Sequence, residues 1–326
     1  QVDLNVAAAP QDDRPGFLFF SLMACRRLCW MVQEHWLYAA AYLFIALCLV
    51  AFFGGAVNRM AALQFARDEK SSVMQALRFS CGKFFSFFSA PLIPIALILV
   101  LGVLIMLGAL LANIPWIGGI LVGALLFLAL LLGLGIAFMA IGLVGGAGLM
   151  YPTIAAEGSD SFDAISRSFS YIFARPWRAI FYGLIALVYG VLTYMFVRFF
   201  AYLALKATHT FCKWGVFAGG DSLGPKADRM DVLWTAPTFS SLYGPQSWHA
   251  MGGWEAVGGF LVAVWVFLVA CAVAGYLLSY AASSTSVIYF LLRRKVDATD
   301  LDDVYVEEDL EEEPPELAES DVVGQF

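Results

Sequence analysis

The stretch FFSFFSAPLIPIALILVLGVLIMLGALLAN (84–113) runs on through IPWIGGILVGALLFLALLLGLGIAFMAIGLVGGAGLMYPTIAA (114–156) without one Asp, Glu, Lys or Arg. Lys83 precedes it and Glu157 follows it, so 73 consecutive residues carry no formal charge. A soluble domain of this size alternates its core-facing residues with a charged, solvated face. About 20 apolar residues cross a bilayer, so this run holds at least two crossings. The reading is an all-α, polytopic helical membrane protein.

Composition agrees. The 326 residues are 61% hydrophobic and 14% charged, against roughly 45–50% and 25% in soluble domains. The net charge of −7 is unevenly placed. Thirteen of the 26 acidic residues follow Lys295, in a tail with no basic residue. The remainder, with 19 basic and 13 acidic residues, is a mildly basic membrane body.

Working outward from the uncharged run gives five spans, at about 36–57, 91–112, 117–150, 179–197 and 257–281. Trp36 and Tyr38 open the first, and Asn58-Arg59 closes it, as interface anchors do. Asn113-Ile-Pro-Trp116 makes the turn after the second, because proline cannot continue a helix. The third run is too long for a bilayer core of about 30 Å, so strong tilt or a break in the glycine-rich 142–148 segment is expected. One central carboxylate costs about 2.5–3.5 kcal/mol, and none occurs in any of these stretches.

Eleven Lys and Arg flank one side of the spans and eight the other. The positive-inside bias therefore puts the tail in the cytoplasm and residues 199–255 outside. The expected location is a bacterial inner membrane. The chain begins with Gln1, which this topology places outside. A removed signal peptide or an upstream helix suits that equally. Residues 16–35, apolar but split by Arg26-Arg27, read as an interfacial helix.

Two segments match. Seven residues after Glu69 comes Ala76-Leu77, and seven after Glu157 comes Ala164-Ile165. Ser80 answers Ser168, and Pro91 answers Pro176. Both read as amphipathic surface helices, with Val73, Leu77, Phe84 and Phe88 on one stripe and Phe162, Ile165, Phe169, Ile172 and Phe173 on the other. Asp163 and Arg167 form an i,i+4 pair, and Ser or Asp near each start suits an N-cap. The organisation is then a parallel internal repeat of span, surface helix, span at 36–112 and 113–198. Around it lie an N-terminal segment (1–35), an aromatic outer loop (199–255), a last span with its basic flank (256–295) and an acidic tail (296–326).

Residues 59–69 (RMAALQFARDE), 76–79 (ALRF), 151–158 (YPTIAAEG) and 163–171 (DAISRSFSY) resemble a family of bacterial multi-pass membrane proteins to which no activity is assigned. More loosely, Ala-Ile-x-Arg-Ser followed by Arg-Pro-Trp is similar to the membrane domains attached to some glycerophosphodiester phosphodiesterases, and to Yip-type membrane proteins. The resemblance covers residues 55 to about 195. It implies a helical membrane fold and nothing catalytic.

Residues 220–224 (GDSLG) match the G-x-S-x-G hydrolase pattern, but Pro225 follows where a helix is needed, so the match reads as chance. His209, Cys212 and His249 lack the tight spacing of a metal site. The six cysteines contain no C-x-x-C pair, and Cys25 and Cys29 sit too far apart on a helix for an easy disulfide. The spans contain no ionisable residue of the kind a pump or proton relay uses. Arg198 lies at an interface, where it snorkels. Gly119-x-x-x-Gly123 and Gly142-x-x-x-Gly146 allow close helix approach.

No catalytic, cofactor-binding or metal-ligating residue is therefore assigned. The chain reads as non-enzymatic, with no cofactor and no nucleic-acid partner. The expected function is a membrane scaffold or accessory subunit, in contact with lipids and with protein partners through the outer loop and acidic tail. The alternative is a passive transporter or lipid-handling protein with a conduit between the two repeats, for which only 142–148, Thr193 and 283–286 offer polar or irregular material.

Overall fold

The computed structural model describes residues 30–115, 117–217, 233–243 and 253–305, with Met23, Arg26 and Arg27 as isolated positions before them. The chain is all-α and polytopic. Among the described residues, five stretches are long and apolar enough to cross a membrane: Trp36–Arg67, Phe84–Asn113, Gly118–Glu157, Pro176–Trp214 and Ala256–Val296.

The first comprises α1 (Trp36–Leu49), a π-helical turn (Val50–Gly54) and α2 (Gly55–Arg67). Then come the short α3 (Val73–Gly82), α4 (Phe84–Leu110) with a closing 3₁₀ turn (Leu111–Asn113), and α5 (Gly118–Glu157). The short α6 (Ser161–Ala174), α7 (Pro176–Phe217) and α8 (Gly253–Val296) follow. The expected order of span, surface helix, span is thus present twice. Most of the interfacial helix expected at 16–35, and residues 218–232 and 244–252 of the outer loop, lie outside the described residues.

Several helices run past their expected ends. The 40-residue α5 is unbroken through its glycines and Pro152. At about 1.5 Å per residue it spans about 60 Å, so one end stands clear of the bilayer core. Likewise α7 continues to Phe217, taking up residues first read as outer loop, and α8 absorbs the 283–286 serine-threonine run. A helix end outside the apolar layer still satisfies its backbone internally, so apolar length sets a minimum and not a boundary.

Local chemistry sets the turns. Ser72 caps α3 in a reciprocal box with Gln75, and Asp160 caps α6 by accepting from the Asp163 amide at 2.9 Å. Arg67 and Glu157 end their helices before left-handed residues, Asp68 (φ 54°) and Gly158 (φ 62°). Glu69 therefore lies in a loop whereas Glu157 is the last helical residue, so the two glutamates are not equivalent. From the N-caps onward the match holds: Ala76 and Ala164, like Ser80 and Ser168, are buried at like positions. The two prolines differ as well. Pro176 opens α7, where no amide hydrogen is missed, while Pro91 lies inside α4.

Much of the expected stripes packs inward: Ile165 is buried, and Phe84, Phe88, Phe169 and Ile172 pack against the core. A backbone break at Lys83 (φ −104°) puts Phe84 and Phe88 on α4. Val73 and Phe162 are exposed, while Ala76, Phe79 and Ser80 of α3, and Ala164, Ile165, Ser168 and Tyr171 of α6, face the bundle. Small Ala76, Ser80, Ala164 and Ser168 thus share these faces with the large Phe79, Ile165 and Tyr171.

The carboxyl ends of α2, α5 and α8 converge with α3 and α6 at one end of the bundle, here the tail end. α4 packs along α5, and α7 along α8. The main core is at the tail end (Phe79, Phe87, Met150, Ile154, Tyr289, Phe290). A smaller one (Ala201, Leu205, Trp234, Leu242, Val266) marks the loop end. In between, the most apolar stretches of α4 and α5 bury no residue within the chain.

In the tail-end core the π-turn loosens the hydrogen-bond ladder, and the Ser80 hydroxyl donates to the carbonyls of Ala51 (3.3 Å) and Phe52 (2.6 Å). Asn58 donates to Gly54 O at 2.8 Å, and Ser286 meets Asn58 Oδ1 at 3.4 Å. Of the glycine pairs, Gly142 and Gly146 receive the Phe169 ring; a Cβ on Gly142 would stand 2.7 Å from it. Among the described residues, a Cβ on Gly119 or Gly123 would meet nothing within 4 Å. Gly142→Val is expected to cost about 1–3 kcal/mol by overpacking, seen as a lower unfolding midpoint of the detergent-solubilised protein. Gly119→Ala is expected to leave the midpoint unchanged or slightly raised.

Candidate functional site

The charged side chains that the fold draws inward meet at the tail end. Glu157, placed by the last turn of α5, has its side chain only 10% exposed. Its Oε1 lies 3.0 Å from Arg167 Nη1 of α6 and 3.3 Å from Arg293 Nε of α8, and accepts from the Tyr289 hydroxyl at 2.6 Å. One carboxylate thus ties three helices. Arg167 also faces Asp163 of its own helix, its Nε 3.1 and 3.0 Å from the two oxygens.

The chain beyond α8 closes the site. Residues 297–305 cross the tail end as a strap. The Tyr171 hydroxyl donates to Asp297 Oδ2 at 2.5 Å. Arg293 donates to the Asp303 carbonyl at 2.6 Å and to its carboxylate at 3.1 Å. The Tyr305 amide donates to Ala156 O at 2.8 Å, and Arg59 bridges Ala155 O and Tyr305 O, both at 2.7 Å. The Arg59 guanidinium also stacks over the Phe79 ring at 4.3 Å. These bonds satisfy carbonyls at the end of α5 that have no partner within the helix. The Tyr305 ring lies where a Cβ on Gly158 would stand, so glycine serves there both the left-handed turn and the close approach.

An open cleft of about 340 Å³ remains, lined by Glu157, Ser159, Asp163, Arg167, Arg293 and Asp303, with Ala156 and Tyr305. Burial, then the bond to Asp297, push the Tyr171 phenol above its ordinary value of 10.0. For Arg167, burial works against the charge, but the hydrogen bond to Asp163 and the field of Glu157 prevail and raise it. Arg167 and the two Nη groups of Arg293 are thus matched to fixed acceptors, which is the arrangement of a clamp. Arg293 Nε meets Glu157 only as an ion pair, and Glu157 Oε2 and Ser159 Oγ are buried with no hydrogen-bond partner among the described residues. Among the described residues, no group of three His, Cys, Asp or Glu is placed to hold a metal.

The residues weighed as chemistry lie elsewhere. The 220–224 motif, His249, Cys25 and Cys29 are outside the described residues. His209 is buried at the loop end, its Nε2 3.1 Å from Trp234 O and its ring edge-on to the indole, while Cys212 is exposed. Arg198 is more than a snorkelling cation: it donates to Phe239 O (3.0 Å), Ser240 O (2.7 Å) and the Tyr194 hydroxyl (2.8 Å), tying residues 233–243 to α7. The sequence reading did not single out Tyr171, Tyr289 or the strap. Their partners lie 126, 132 and 246 residues away in sequence, and the left-handed Gly158 was the nearest local signal. No family model, curated protein or solved structure matches the chain.

Glu157→Gln leaves Arg293 buried with half its compensation and is expected to cost about 3 kcal/mol. Glu69→Gln, at an exposed loop position, is expected to stay within about 0.5 kcal/mol. Unfolding midpoints of the two variants check the contrast. A phenol raised in the folded state contributes stability that is complete below its unfolded value and lost as pH climbs toward the folded one. The clamp is therefore expected to weaken above about pH 10, and Tyr171→Phe to flatten that alkaline loss in a midpoint-against-pH series.

Proposed function

We propose that the chain is a non-enzymatic integral membrane scaffold or accessory subunit of a membrane protein complex. In this reading it sits in a bacterial inner membrane with its tail in the cytoplasm, and it meets protein partners through the outer loop and the acidic tail. The observation that carries the reading is the unburied middle of the bundle. The most apolar stretches of α4 and α5 bury nothing among the described residues, while the charged contacts gather at the two ends of the bundle. Helices in lipid associate by close packing of small residues and not by the hydrophobic effect. Gly119 and Gly123, one turn apart on α5 and clear of every neighbour, suit a helix from another chain. Such a protein offers partners a membrane flank held rigid from its ends.

A conduit between the two repeats is the second reading. It needs polar groups facing a route, but the hydroxyls of Thr193, Ser284 and Thr285 donate to carbonyls of their own helices. This favours the scaffold.

The test is extraction from native membranes in gentle detergent, followed by native sizing and mass spectrometry. A stoichiometric protein partner is expected, lost when Gly119 and Gly123 are both replaced by Leu. A lone chain carrying only lipid would sink the reading.

A further inference from the structure

We propose that the acidic segment 306–326 docks on the cationic rim of its own bundle's tail end. This goes beyond the scaffold reading and does not depend on it. Three observations carry it. The first is continuity. The strap immediately before this segment is already seated on that end, with Asp297 and Asp303 taking bonds from Tyr171 and Arg293, Val304 buried, and Tyr305 fixed to Ala156 and Arg59. The segment therefore starts at the middle of the tail end.

The second observation is charge. Residues 306–326 hold nine acidic residues and no basic one. The cations of the tail end fall into two groups. Arg59 and Arg293 are buried and Arg167 half-buried, all engaged in the clamp, whereas Arg67, Lys70, Arg78, Arg175, Arg178, Arg294 and Lys295 are exposed and Lys83 half-buried around it. The third is length. Twenty-one residues reach at most about 70 Å, and packed helices stand about 8–10 Å apart, so the whole rim is within range. Single exposed ion pairs contribute little, about 0.2–1 kcal/mol. A tethered partner at millimolar effective concentration, with several pairs at once, still stays seated. Being electrostatic and exposed, the contact weakens with salt.

An anionic leaflet offers the same charge to the same rim and is the competing occupant. The test uses the full chain in phosphatidylcholine nanodiscs, treated with a carbodiimide that joins carboxylates to lysines, and read by mass spectrometry. Joins from the 306–326 carboxylates to Lys70, Lys83 or Lys295 are expected, and none to Lys206 or Lys213 at the other end. They are expected to fall about tenfold in 1 M salt, where the screening length is about 3 Å. They should also fall when Glu311, Glu312 and Glu313 are replaced by Gln. Absence of tail-to-rim joins would overturn the proposal. So would joins found only between isotopically distinct copies, or joins abolished by adding anionic lipid at physiological salt, which would give the rim to the leaflet.

Discussion

Glu157 is the point on which the tail end of this protein depends. One oxygen of its carboxylate serves Arg167, Arg293 and Tyr289 together, so the ends of α5, α6 and α8 are set against one another by a single buried anion. Burying a charge is costly unless it is paired and hydrogen-bonded. The cost is offset only when all three donors are in place. Removing any one leaves another group without compensation, so the arrangement is cooperative. The strap extends the same logic outward. Its backbone and carboxylates complete the bonding of Arg293, Arg59 and the last carbonyls of α5.

This placement follows from the solvent. In the bilayer core an unmatched polar group has no water to turn to, and apolar side chains gain nothing by leaving lipid for protein. Specific packing is therefore built where polarity is allowed, at the two ends. The loop end repeats the pattern on a smaller scale, with Arg198 and His209 holding residues 233–243 on α7. A polar chain deeper in the bundle runs from the π-turn through Ser80, Asn58 and Ser286, and the Tyr280 hydroxyl donates across to Ala186 O. The middle of the bundle is left to lipid or to other helices, and this links the fold to a scaffolding role.

Much of the fold was legible from composition alone. The uncharged run, a Ser or Asp cap at the start of each short helix and the Asp163–Arg167 pair are local signals, and the structure carries them, with Ser72 and Asp160 as the caps. The parallel order of the repeat was legible too, because Ala76 and Ser80 recur as Ala164 and Ser168. What misled were features judged by type and not by surroundings. Glu69 and Glu157 look alike, yet one is exposed in a loop and the other buried. Val73 and Phe162, on the apolar stripes of their helices, are exposed, while Ala76, Phe79, Ala164, Ile165 and Tyr171 face inward. The glycine-rich 142–148 segment suggests a break and is instead a seat for Phe169.

By itself, the sequence determined the class: an all-α chain with five apolar helices, its charges excluded from the membrane core. Insertion is nearly additive over residues and needs no knowledge of neighbours. Only the tertiary structure decided which charges meet. Glu157 with Arg293, Tyr171 with Asp297 and Arg59 with Tyr305 are joined across more than a hundred residues. Such pairs depend on the relative depth and rotation of whole helices, which no local pattern encodes.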